Sequence, residues 1–124
     1  MRHKSRPTAA EIATYAAAIG CSEGWARDIL TKVAEPLRER IIRAAVLQRP
    51  TEGEMLHDPI EDEPQMAAVL AQAEAQAEVG VPSAAKEKMG YCHVLWQRKA
   101  EILRSRFGVV WYSPADMNPY VLID

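Results

Sequence analysis

The chain has 124 residues, 48% of them hydrophobic and 26% charged, with a formal net charge of −2. That length makes one domain, which buries about two-thirds of its unfolded surface on folding, and two cysteines, Cys21 and Cys92, are too few for a disulfide framework. No apolar run is long enough to span a membrane and no apolar stretch follows the charges of MRHKSRP, so the expectation is a cytoplasmic protein without membrane association.

Met1 to Arg6 is a basic arm. Thr8-Ala9-Ala10-Glu11 has the form of a capping box and predicts a first helix from about Ala9 to Ile19, with Ile12, Tyr15, Ala16 and Ile19 inward. Gly20 suits the left-handed position that stops a helix, and Ser22 suits the N-cap of the next. Trp25, Ala26, Ile29, Leu30 and Val33 recur at helical spacing to about Ala34. Pro36 is favoured at a first helical position and predicts a third helix to about Gln48, burying Leu37, Ile41, Ala44 and Ala45.

Thr51 to Pro64 replaces periodicity with acidity and prolines, and predicts a long loop. A fourth helix, about Gln65 to Val79, turns Met66, Val69, Leu70, Ala73 and Ala77 inward. Ser83 to Phe107 then reads as one unbroken helix, about 36 Å long at about 1.5 Å per residue. Two apolar stripes, one through Met89, Cys92, Trp96, Leu103 and Phe107 and one through Tyr91, Leu95 and Ile102, flank a basic seam of Lys88, Lys99 and Arg106. Such a helix is expected at the centre, held by neighbours on two sides. After Gly108, Ser113-Pro114-Ala115-Asp116 has the form of a short helix start, and Trp111 and Tyr120 are the expected anchors of a folded tail.

The fold predicted is all-α: a single compact domain of about five helices around a long helix at about 83–107, with an ordered, irregular C-terminal tail. Its parts are a basic arm (1–7), a three-helix N-terminal cluster (8–49), an acidic loop (50–64), a helical hairpin (65–107) and the tail (108–124).

Charge is segregated along the chain. Residues 1–50 carry nine Lys/Arg against five Asp/Glu, residues 51–79 carry none against eight, and residues 80–124 carry six against four. The acidic segment either satisfies the basic ones internally or leaves a basic face for an anionic partner. The specific expectation is that Glu61, Asp62 and Glu63 lie against Lys88, Lys99 and Arg106, because charges set between apolar stripes need partners.

Ala16, Gly20, Ala26 and Ile29 have the spacing of a helix-turn-helix, and residues 11–30 resemble that motif. The resemblance implies a recognition helix presenting Ser22, Glu23, Arg27 and Asp28 to a groove. Two of those four are acidic, and plain helical-hairpin packing gives the same small-residue pattern. Cys92 and His93 are adjacent on a helix and point about 100° apart, so they make no catalytic dyad; Cys92 reads as a buried thiol. His57, Asp58, Glu61, Asp62 and Glu63 lack the alternating ligands and central glycine of a calcium loop. There is no phosphate loop, no G-x-S-x-G, no H-E-x-x-H and no metal-ligand spacing.

The expected function is a small non-catalytic binding or regulatory module acting through a protein partner or through self-association, with no cofactor and no metal. The alternative is a helix-turn-helix DNA-binding protein using the arm and first three helices. Candidate partner or nucleic-acid contacts are Arg2, Lys4, Arg6, Arg27, Arg38, Arg40, Arg43, Trp25, Trp111 and Tyr120.

Overall fold

In the computed structural model, which describes residues 6–82, 88 and 90–121, the Thr8 capping box forms. The Thr8 hydroxyl accepts the Glu11 N–H at 3.1 Å, and the Glu11 carboxylate accepts the Thr8 N–H at 2.8 Å. Helix α1 (Ala9–Ile19) follows and ends at Gly20, whose φ of 81° is the left-handed stop the sequence predicts. The Ser22 hydroxyl accepts the Trp25 N–H and opens α2 (Glu23–Thr31). This helix is shorter than predicted: the Thr31 hydroxyl donates to the Arg27 carbonyl, and tighter turn bonds carry the chain away through Val33. Helix α3 (Leu37–Gln48) closes on Arg49 at φ 42°.

Ile12, Tyr15 and Ala16 of α1, Ala26, Ile29 and Leu30 of α2, and Ile41, Ala44 and Ala45 of α3 pack into one core, joined by Val33, Leu56 and Met117. The alanines allow close helix approach, and the leucines and isoleucines fill the space between ridges. A second core lies between α4 (Ala67–Val79) and α5 (Tyr91–Phe107), built on Leu70, Ala73, Leu103 and Trp111. Arg98 of α5 donates to the Ala77 carbonyl at 3.2 Å, and its guanidinium fills the space that a side chain at Gly80 would take.

The chain is therefore an all-α, single compact domain, with six α-helices and no strand among the described residues. Two expectations need correction. Helix α5 starts at Tyr91 and does not run unbroken from Ser83, because Gly90 sits at φ 82°, and a left-handed residue cannot continue a right-handed helix. Residues 83–87 and 89, with the expected Ser83 cap, lie outside the described residues. Nor is α5 the centre of the whole domain. It packs chiefly on α4, and the core of α1, α2 and α3 forms without any α5 side chain.

The acidic loop and the tail join the two cores. The loop is ordered, with short 3₁₀ turns at Pro59–Asp62 and Pro64–Met66, and the tail contains α6 (Pro114–Met117), which begins at the expected helix start and adds a reciprocal cap between Ser113 and Asp116. At the junction Asp58 is 0% exposed. Its two oxygens accept from Arg40 Nη1 at 2.8 and 2.7 Å, from the Ile60 N–H at 3.1 Å and from the Tyr112 N–H at 2.9 Å. One carboxylate thus ties α3, the loop and the tail. Beside it the buried Asn118 side chain accepts the Leu56 N–H and donates to the Leu56 and Pro114 carbonyls, each at 2.8 Å.

The basic seam is also partnered differently from expectation. Lys99 pairs with Glu74 on the neighbouring helix at 3.0 Å, Arg106 donates to Gln76, and Lys88 is exposed. Helix α4 supplies these partners because it lies alongside α5, while the loop carboxylates sit at its end. Glu61 reaches the seam only indirectly: it accepts from Trp111 Nε1 at 2.9 Å, and Lys99 lies over the Trp111 ring at 4.5 Å.

Candidate functional site

The nominated cations separate into inward and outward sets. Arg38 is only 1% exposed; its Nε donates to the Val33 carbonyl at 3.1 Å, and its guanidinium faces Glu35 at 3.5 Å and Glu11 at 3.8 Å. It pins the α2–α3 turn to the start of α1 and is not a partner contact. Arg40 is spent on Asp58, on the Val110 carbonyl at 3.2 Å, and on the Tyr112 ring, 5.1 Å from its centroid. Arg6, Arg27 and Arg43 are exposed, and Arg2 and Lys4 lie outside the described residues. A continuous basic surface joining the arm to α3 therefore loses its two central members.

The aromatic candidates separate in the same way. Trp111 is only 4% exposed and belongs to the second core, so it is corrected from contact residue to core residue. Trp25 is 50% exposed and Tyr120 37% exposed, and their rings meet edge-on with centroids 6.5 Å apart. Trp25 is in the first turn of α2, at the edge of the stripe that buries Ala26, Ile29 and Leu30. Tyr120 is brought to it by the tail, which α6 and Asn118 fasten against the first core.

Tyr120 is the wall shared by two clefts. On one side, about 340 Å³ is lined by Trp25, Ile29 and Pro119, with Asp28 and Lys32 of opposite charge at the edge. On the other, about 440 Å³ has a floor of Ile19, Pro50, Met55 and Val121 and a rim carrying Glu52 and Glu54. Glu54 is fixed in place: its Oε1 accepts both the N–H and the hydroxyl of Thr51, each at 2.7 Å. Those bonds hold its carboxyl below the usual carboxylate range. Exposed Met55 extends the apolar surface. The sequence reading missed the clefts and Met55, since exposure is set by non-local packing. The Thr51-Glu52-Gly53-Glu54 turn was in principle legible from its Thr-x-x-Glu spacing.

Behind Tyr120 sits a buried phenol. Tyr15 Oη has no hydrogen-bond partner among the described residues, and burial, followed by the proximity of Tyr120 and Cys21, pushes its pKa well above the ordinary tyrosine value. A group whose folded pKa is raised contributes stability that is intact below its unfolded pKa, about 10 for tyrosine, and that is lost as pH climbs above it. Tyr15→Phe is therefore expected to leave neutral-pH stability unchanged or raise it by up to about 1 kcal/mol, and to flatten the alkaline limb. Urea unfolding at neutral pH and above about pH 10 checks both; a loss exceeding about 1 kcal/mol at neutral pH contradicts the geometry.

A cleft of about 540 Å³ between α5 and α6 brings together His93, Glu101, Arg104 and Asp116, but Ser113 and Asp116 there are engaged in capping each other. Cys92 is half-buried, where a buried thiol was expected; burial holds the half-buried Cys21 thiol above its ordinary pKa. No group of three or more His, Cys, Asp or Glu side chains placed to hold a metal occurs among the described residues, and no helix there is long and apolar enough to cross a membrane.

At the helix-turn-helix positions, Ala16, Ala26 and Ile29 are buried between α1 and α2 and Gly20 makes the turn, with Glu23, Arg27 and Asp28 exposed along α2. Any tight helical hairpin has the same arrangement. Comparison with protein-family models, with curated proteins and with solved structures gave no match to this chain.

Proposed function

We propose that this chain is a non-catalytic binding module that recognises a protein partner through the face built on Trp25 and Tyr120. The observation that carries the reading is the exposure of these two rings side by side, in a chain with eight aromatic side chains in all. Large aromatics at the centre of a protein contact supply much of its binding energy, and the flanking clefts offer recesses for a partner's side chains. The test uses peptides selected for affinity from an unbiased display library. Trp25→Ala is expected to weaken their binding at least tenfold (about 1.4 kcal/mol), while Val94→Ala, at an exposed position on α5, leaves it unchanged. Peptides that bind Trp25→Ala as tightly as the parent would overturn the reading.

Duplex DNA draws less support. Arg38 is enclosed and Arg40 is neutralised by Asp58, which takes two of the three nominated α3 cations away from phosphate, and Glu23 and Asp28 flank Arg27 on α2. A salt titration with generic duplex is expected to give no measurable affinity even at low ionic strength. Affinity that falls steeply with added salt would favour DNA instead.

A further inference from the structure

We infer that the partner presents a segment with an apolar side chain beside an arginine or lysine, the apolar group seating against Trp25 and the cation crossing Tyr120 to Glu52 and Glu54. This inference rests on the proposed contact face and adds the chemistry of its occupant.

The two clefts on either side of Tyr120 differ in kind. At the Trp25 cleft, Asp28 and Lys32 oppose each other in charge and share the lining with Trp25, Ile29 and Pro119, so the aromatic ring offers the apolar contact there without a net charge beside it. At the second cleft both charged lining groups are acidic, and the floor is apolar. Glu54 Oε1 is committed to Thr51, while Oε2 and the Glu52 carboxylate have no hydrogen-bond or ion-pair partner among the described residues. A carboxylate already held by its own turn loses little freedom on meeting a cation, which is the advantage of preorganisation. The Tyr120 ring, open on its exposed side, adds a cation–π surface between the clefts. A long aliphatic stem ending in a charge matches an apolar floor with an anionic rim.

The same charges argue against a second copy of this chain as the occupant. A two-fold contact sets a patch against itself, and here that would bring Glu52 and Glu54 toward the like charges of the other copy.

The test is fluorescence anisotropy with three labelled synthetic peptides that share one leucine and differ next to it: arginine, its uncharged isostere citrulline, or glutamate. Arginine is expected to bind at least tenfold tighter than citrulline, and glutamate weakest. The arginine preference is expected to vanish in the Glu52→Gln/Glu54→Gln double variant, in which the new amide next to Met55 keeps a carbonyl oxygen for Thr51 and so preserves the turn. Trp25→Ala weakens all the peptides that bind. Equal binding of arginine and citrulline peptides that still depends on Trp25 overturns this inference and leaves the contact face standing. A preference that survives the double variant also overturns it. Binding of no peptide at millimolar concentration removes the inference, and a simultaneous lack of Trp25 dependence in the library-selected peptides removes the face as well.

Discussion

Replacing Asp58 by asparagine is expected to lower the free energy of unfolding by about 3–5 kcal/mol, the usual cost of removing one member of a buried ion pair. The change is nearly isosteric, so the effect is electrostatic and directional. The carboxylate accepts from Arg40, Ile60 and Tyr112 through both oxygens. An amide offers one oxygen and turns its NH₂ donors toward a backbone N–H or a guanidinium, leaving a buried donor unmatched. Typical domains are stable by only about 5–15 kcal/mol, so the loss is a large share of the total. Urea unfolding checks it, and a change below about 1 kcal/mol, the size of an exposed pair, would show that Asp58 is not the tie it is described as. Replacing Arg40 and Asp58 together by methionine and leucine is expected to cost less than the sum of the single changes, because neither charge is then stranded.

Trp111→Ala is the second large effect, expected at about 3–5 kcal/mol from lost burial and the cavity left behind. The ring fills the second core, donates through Nε1 to Glu61 and lies under Lys99. Trp111→Phe keeps most of the packing and removes the hydrogen bond, so it is expected to cost only about 1–2 kcal/mol. Denaturation of both variants checks the ranking; equal losses would mean that the Glu61 contact and not the ring packing dominates.

Local chemistry was legible in the sequence wherever it involved neighbours in the chain. Thr8 with Glu11, Ser22 and Ser113 with Asp116 cap helices as their spacing predicts, Gly20 stops α1, and the apolar spacings of α1 to α4 mark their buried faces. The break at Gly90 was hidden because the apolar stripes of α5 continue in register through it, and a lone glycine lowers helix preference only by about 1 kcal/mol.

The junction was hidden for a different reason. Asp58 is one of six acidic residues in a stretch without periodicity, and only its partners, 18 and 54 positions away, single it out. Arg38 and Lys99 illustrate the same point: Arg38 was expected to face a partner and Lys99 to meet the acidic loop, and packing instead encloses each beside carboxylates of other helices. The contact face was half legible. Trp25 and Tyr120 were nominated as residue types, but their meeting depends on the tail folding back across α2, which Asn118 fixes through Leu56. The clefts beside them depend on the same return of the chain.

The proposed contact face requires Trp25 to serve the surface and not the core, and equilibrium unfolding of Trp25→Ala in urea reads this most directly. Trp25 is 50% exposed, so the expected loss is about half that of an enclosed tryptophan, no more than about 2 kcal/mol. A loss of about 3–5 kcal/mol, the value for an enclosed tryptophan, would make Trp25 a structural residue and contradict the contact face.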